Sequence, residues 1–124
     1  MPKYLIPEGF EKQSVLFNLN RIPKGTKKVV MVESYFSVFR LHELGTPAVS
    51  PMGHSVSEAQ CELLVAHCVE SIVVLFDGDE AGEQGIAESV PLLSRYFFVH
   101  APAVRESFKP HKANEEELAE LMKK

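Results

Sequence analysis

Hydrophobic and polar positions along the chain repeat one order: an unbroken apolar run, an acid, then a helical period. The run Ile72-Val73-Val74-Leu75-Phe76 stops at Asp77-Gly78-Asp79, and a small-residue helical pattern starts at Glu80. An apolar run without alternation suits a central strand covered on both faces, and strands of open α/β sheets present their carboxyl ends to ligands. Val29-Val30-Met31-Val32 repeats the arrangement and ends at Glu33. Ser34 is placed to cap the next helix, with Phe36, Val38, Phe39, Leu41 and Leu44 forming a broad apolar side and Gly45 marking the exit. If the two strands are parallel neighbours, Glu33 and Asp77 come together.

The remaining pattern fills in around these two units. Pro47-Ala48-Val49 predicts a short strand leading to the turn Ser50-Pro51-Met52-Gly53-His54. Ser57 and Gln60 predict a capping box and a helix through about Cys68, with Leu63, Leu64, Ala66 and Val69 directed to the core. A helix over Glu80 to Leu93 carries Gly82 and Gly85 early. Glycines cost roughly 0.5 to 1 kcal/mol each in a helix interior, so they predict close backbone approach or a ligand near the helix start. Residues 96–100, Tyr-Phe-Phe-Val-His, read as another buried strand, and residues 101–113 as an irregular loop. Asn114 and Glu117 predict a second capping box that opens a terminal helix. At the other end, residues 1–14 are expected to be a flexible lead and residues 15–124 a single domain. Within that boundary, the apolar cluster of residues 14–20 predicts a short helical turn against the core.

Composition narrows the class. With 124 residues, 45% of them hydrophobic, the chain suits one core. No apolar run approaches the roughly 20 residues of a membrane span, and the N-terminus does not resemble a signal peptide, so a soluble cytoplasmic protein is expected. A net charge of -4 argues against a stand-alone nucleic-acid binder. The most basic stretch, Arg21 to Lys28, reads first as a solvated loop. Cys61 and Cys68 are expected to share one helix face as plain thiols, because no partner set around them has zinc spacing. His54 and His67 likewise lack a paired acid or metal-like spacing.

Asp77 and Asp79 carry the chemistry. Two carboxylates separated by one residue need a compensating cation or donor, and Mg²⁺ takes oxygen ligands while keeping several waters. Gly78 lets the backbone turn tightly between them. The competing reading is that Asp79 caps the helix starting at Glu80 and Asp77 is a solvated loop acid.

Three features coincide: strand then Glu33, strand then Asp77-Gly78-Asp79, and between them the turn Met52-Gly53-His54-Ser55-Val56-Ser57-Glu58-Ala59-Gln60. Together they resemble the Toprim domain, most closely that of bacterial-type DNA primases, and Phe76-Asp77-Gly78-Asp79-Glu80-Ala81-Gly82 is close to its most recognisable signature. The resemblance implies an α/β fold with a mostly parallel four-stranded sheet between helices. It also implies Mg²⁺ or Mn²⁺ held by Glu33, Asp77 and Asp79 for nucleotidyl transfer, with Glu33 as base or ligand. Nucleic acid, in particular DNA, is the implied partner, reached through the metal and through other domains, with nucleotides as further ligands. A small Toprim nuclease and a catalytically silent Toprim scaffold remain alternatives. A phospho-acceptor signalling domain is disfavoured by the repeated aspartate and by the lack of a clear strand-end lysine.

The sequence also departs from the family pattern. Ser34 stands where the primase motif usually has glycine, Ser37 where it often has aspartate, and Glu83 where arginine is common. The family's third acidic motif, Asp-Pro-Asp, finds Ala113-Asn114-Glu115 as its expected counterpart, where Glu115 either completes the metal cluster or sits in the first helical turn. The basic half-domain and zinc module of primases have no counterpart, as in an excised domain or a reduced relative.

Overall fold

The computed structural model describes residues 16–53 and 55–123. The lead proposed for residues 1–14, Ser14 and Val15 of the predicted first turn, and His54 lie outside them. Among the described residues, four strands form one sheet: β1 (Lys28–Met31), β2 (Ala48–Val49), β3 (Ser71–Val74) and β4 (Phe98–His100), in the order β2-β1-β3-β4. Every pairing is parallel, and Met31 sits opposite Val74. The helices are α1 (Tyr35–Glu43), α2 (Glu58–Ala66), α3 (Glu80–Leu93) and α4 (Glu115–Met122). The α/β architecture with a parallel four-stranded sheet, expected from the resemblance, is therefore present.

The unbroken runs are unbroken because both sheet faces are covered. Val29, Met31, Ile72, Val74 and Phe76 share one core with Cys61 and Leu64 of α2 and Leu93 of α3. Val30, Val32, Val73 and Leu75 share the opposite core with Val38 and Leu41 of α1, Phe108, and Leu118 of α4. Alternate side chains of each strand thus enter different cores.

Several expectations need correcting. Residues 96–100 are not a buried strand: among the described residues β4 pairs only with β3, so it is an edge, and Phe98 is 80% exposed. The apolar side of α1 is narrower than its composition suggests. Val38 and Leu41 are buried, three positions apart, while Phe36 and Phe39 are exposed. Phe39 packs edge-on against Phe17, whose ring also meets Tyr35. α2 ends at Ala66, which is exposed, and Cys68 has turned into a left-handed conformation at φ 73°. The two thiols consequently do not share a face, with Cys61 buried and Cys68 exposed. The apolar residues before β1 form a 3₁₀ turn at Leu19–Arg21, and Phe17 makes an isolated bridge to Ser50. Only half of the second capping box forms. Asn114 accepts from the Glu117 amide, but the Glu117 carboxylate is turned to Arg105 at 2.8 Å.

Candidate metal centre

Strand order determines where the acids meet. From β1 the chain moves to β2 on one side, and from β3 it moves to β4 on the other, so a crevice opens at the carboxyl ends of β1 and β3, where α/β sheets bind ligands. Glu33 follows β1 and Asp77 follows β3. The Asp77 amide donates to Glu33 Oε1 at 2.9 Å, which joins the two strand ends. Glu33, Asp77 and Asp79 line one cleft of about 430 Å³ together with Ser34, Tyr35, Met52, Gly53 and Ala81.

Each acid has a distinct setting. Asp79 is the N-cap of α3 and accepts from the Gly82 amide at 2.7 Å, so the capping role proposed for it is present. Asp77 is half-buried. Its Oδ2 accepts from Lys109 Nζ at 3.2 Å, and its Oδ1 is buried without a hydrogen-bond partner. The Asp77 hydrogen bond and charge raise the Lys109 ammonium above the ordinary lysine range, with smaller contributions from Asp79 and Glu33.

Glycine is required on both sides of Asp79. A Cβ on Gly82 would collide with the Asp77 carbonyl oxygen, and one on Gly78 with the Arg105 carbonyl oxygen. The predicted close approach at the start of α3 is therefore a backbone contact. Gly78 also donates to the Phe108 carbonyl at 2.8 Å and accepts from the Ser107 amide at 2.7 Å, which holds the chain after β4 against the acidic turn.

The Ser57–Gln60 capping box serves the site as well. Gln60 Oε1 accepts from the Ser57 amide, while its Nε2 donates to the Pro51 carbonyl at 2.8 Å and fixes the turn that brings Met52 to the cleft. Ser50, fully buried, donates from Oγ to the Glu33 carbonyl at 3.2 Å. Pattern reading passed over Ser50 and Lys109. A proline in an Xaa-Pro-Xaa triplet after the last strand was the available signal for Lys109.

That triplet changes the third motif. Lys109-Pro110-His111, not Ala113-Asn114-Glu115, comes against the acidic turn, because the Gly78–Phe108 bonds hold the chain just ahead of it. A lysine and a histidine therefore occupy an Xaa-Pro-Xaa site at the acids. His111 Nδ1 lies 3.4 Å from Ser37 Oγ, and burial first, then Lys112 and Lys109, holds this imidazole below its ordinary range against an opposing effect of Asp77. Glu115 is exposed in the first turn of α4, behind the Asn114 cap. His67 bonds the Ile22 carbonyl and Cys61 is buried, both structural settings. A second cleft, of about 650 Å³, shares Asp77 and Asp79 with the first and is lined by Glu80, Glu83 and Glu106 as well.

The donors suit a hard divalent ion in an open site. All three acids offer oxygen, and the unpartnered Asp77 Oδ1 is an acceptor that a cation would satisfy. Among the described residues, no three acidic, His or Cys side chains stand close enough together to hold a metal ion jointly. Mg²⁺ does not require three, since it is commonly held by one or two carboxylates with waters and phosphates completing the shell.

Comparisons with known proteins bear on the family and the fold. The chain is 31% identical over 94 residues to the DNA primase of Mycoplasma genitalium, with 74% of the chain covering 16% of that protein. It is 32% identical over 99 residues to the Aquifex aeolicus DNA primase, covering 74% of the chain and 20% of the relative. The chain thus spans about a fifth or less of these relatives. The zinc-binding and RNA polymerase domains of the Aquifex aeolicus primase superpose with a TM-score of 0.77 at 30% identity, over 90% of this chain and 30% of that one. The RNA polymerase domain of Mycobacterium tuberculosis primase DnaG, solved with double-stranded DNA, superposes with a TM-score of 0.67 at 26% identity, over 90% of this chain and 39% of that one. Residues 30–109 match the Toprim-like family. Since that match spans well over half of its residues, the chain belongs to the Toprim-like family.

Proposed function

We propose that the chain is a divalent-metal-binding Toprim module of a primase-like DNA replication protein, in which Glu33, Asp77 and Asp79 hold Mg²⁺ or Mn²⁺. The observation that carries this reading is that Glu33, Asp77 and Asp79 line one cleft, with one oxygen of Asp77 buried and unpartnered. A metal bound there would neutralise charge on phosphate and activate an attacking oxygen for nucleotidyl transfer. The chain's own residues prepare the site. Glu33 is oriented by the Asp77 amide, Asp79 by the start of α3, and the cleft wall by Gln60 and Ser50. DNA and nucleotides are the proposed partners, reached through the metal and neighbouring domains, because the acids around both clefts disfavour direct phosphate contact.

The test is thermal unfolding with and without Mn²⁺. A ligand bound only by the folded state stabilises it by mass action, by about 2.7 kcal/mol at one hundred times Kd. Asp77→Asn is expected to remove the Mn²⁺ shift and leave the fold intact. Asp79→Asn is expected to do likewise, since asparagine caps as well as aspartate. A shift of wild-type size in both variants would refute the assignment. A second reading, a catalytically silent scaffold, is favoured by the Lys109 contact to Asp77, and template-directed synthesis would exclude it.

A further inference from the structure

Asp77 already has a cation. Lys109 Nζ lies 3.2 Å from Asp77 Oδ2, with side-chain exposures of 38% for the lysine and 17% for the aspartate. The lysine is not a stray surface residue that happened to reach an acid. Phe108 before it is fully buried, and Pro110 after it is buried and opens the 3₁₀ turn Pro110–Lys112. The Gly78–Phe108 and Ser107–Gly78 hydrogen bonds fasten this segment to the acidic turn itself. The Lys109 backbone is thus fixed opposite Asp77, while its four-carbon stem stays flexible enough to leave. The ammonium also compensates only one oxygen, because Oδ1 of the same carboxylate is buried without a partner.

We infer that Lys109 is a built-in counter-ion of the acidic site, which a divalent cation has to displace from Asp77 before it is held there. The inference rests on the metal reading above. In the resting molecule the lysine keeps the carboxylate charge-balanced, and a metal therefore competes with a tethered ammonium as well as with water. Displacement gives up the attraction between two unit charges 3.2 Å apart, which weakens metal binding about tenfold even at the dielectric of bulk water. Displacement swings the ammonium to the rim of the cleft. The metal-free and metal-bound states then differ in the position of one lysine, with the strands unmoved.

Mn²⁺ titration calorimetry on the whole chain, paired with thermal unfolding in EDTA and in saturating Mn²⁺, tests this for Lys109→Met, Lys109→Arg and Asp77→Asn. Lys109→Met is expected to bind Mn²⁺ about tenfold more tightly, because no ion pair has to be broken first. It is also expected to unfold at a lower temperature in EDTA, where Asp77 is left uncompensated, and to recover in Mn²⁺. Lys109→Arg keeps the charge and should stay near the wild-type affinity. Adding Asp77→Asn should cancel the gain from Lys109→Met. Unchanged or weaker Mn²⁺ affinity in Lys109→Met, with binding lost in Asp77→Asn, overturns the counter-ion role and leaves the metal reading standing. No Mn²⁺ binding by the wild type or by Lys109→Met overturns both.

Discussion

Burial shifts the ionisation of Cys61 and His111, and each gives a pH-dependent prediction. Burial, then Glu58 and Glu62, pushes the Cys61 thiol up to about 11 from an ordinary 9.0. The unfolded chain ionises first, so this thiol's contribution to stability is intact below pH 9 and is lost between pH 9 and about 11. Thiol labelling at pH 8 should therefore modify exposed Cys68 promptly and Cys61 at the rate of unfolding, and equal rates would contradict the burial of Cys61. His111 behaves in the opposite sense. Its imidazole is held below 6.5, so the stability tied to its neutral form is present above pH 6.5 and is lost as pH falls through the lower folded-state value. An NMR titration of the His111 ring should show its midpoint below 6.5, and a midpoint above that value would mean that Asp77 outweighs burial.

At the level of elements, the strand-turn-helix at β3 and α3 is constrained most tightly. Gly82 lies in the first turn of α3, where alanine normally favours the helix, yet its added methyl would meet the Asp77 carbonyl. Gly82→Ala is expected to cost about 3 kcal/mol through overpacking, measured by urea unfolding, and a gain in stability would refute the close approach. Asp79→Ala removes the cap of the same helix and should cost about 1 kcal/mol even without metal. That cost separates its capping role from its proposed metal role, because Asp79→Asn keeps the former. α4 differs in kind: Glu115, Glu116 and Glu117 occupy a first turn where the helix dipole favours negative charge. Glu115→Gln is accordingly expected to leave Mn²⁺ affinity unchanged.

For the whole molecule, the balance of charge governs nucleic-acid contact. The chain carries a net charge of -4, and both clefts beside Asp77 and Asp79 are lined with acids. The isolated 124-residue chain is expected to bind single-stranded DNA weakly and to make no primers. Each phosphate it does contact contributes about -0.7 to the slope of log affinity against log salt. Fluorescence anisotropy at increasing salt measures this slope, and tight binding that persists at high salt would contradict it. Among the described residues, no helix is long and apolar enough to cross a membrane. The open edge at β4, with Phe98 exposed, bounds the sheet on the side away from β2.

The sequence by itself determined the elements whose signals are local. Apolar runs that end at Glu33 and Asp77 specify strands covered on both faces, because only such strands leave no polar alternate positions. Ser34, Ser57, Asp79 and Asn114 specify helix starts, because a cap acts within three residues of itself. Tertiary structure decided what depends on neighbours distant in the chain. Phe98 is exposed because β4 has a single partner strand, Phe36 because the nine-residue α1 buries only Val38 and Leu41 of its apolar set, and Glu117 fails to close its capping box because Arg105 competes for it. The third motif was misplaced for the same reason. The resemblance to the family's acidic motif pointed to Ala113-Asn114-Glu115, but a hydrogen-bonded backbone contact between Gly78 and Phe108 brings Lys109 to Asp77, across 32 residues that no local pattern connects.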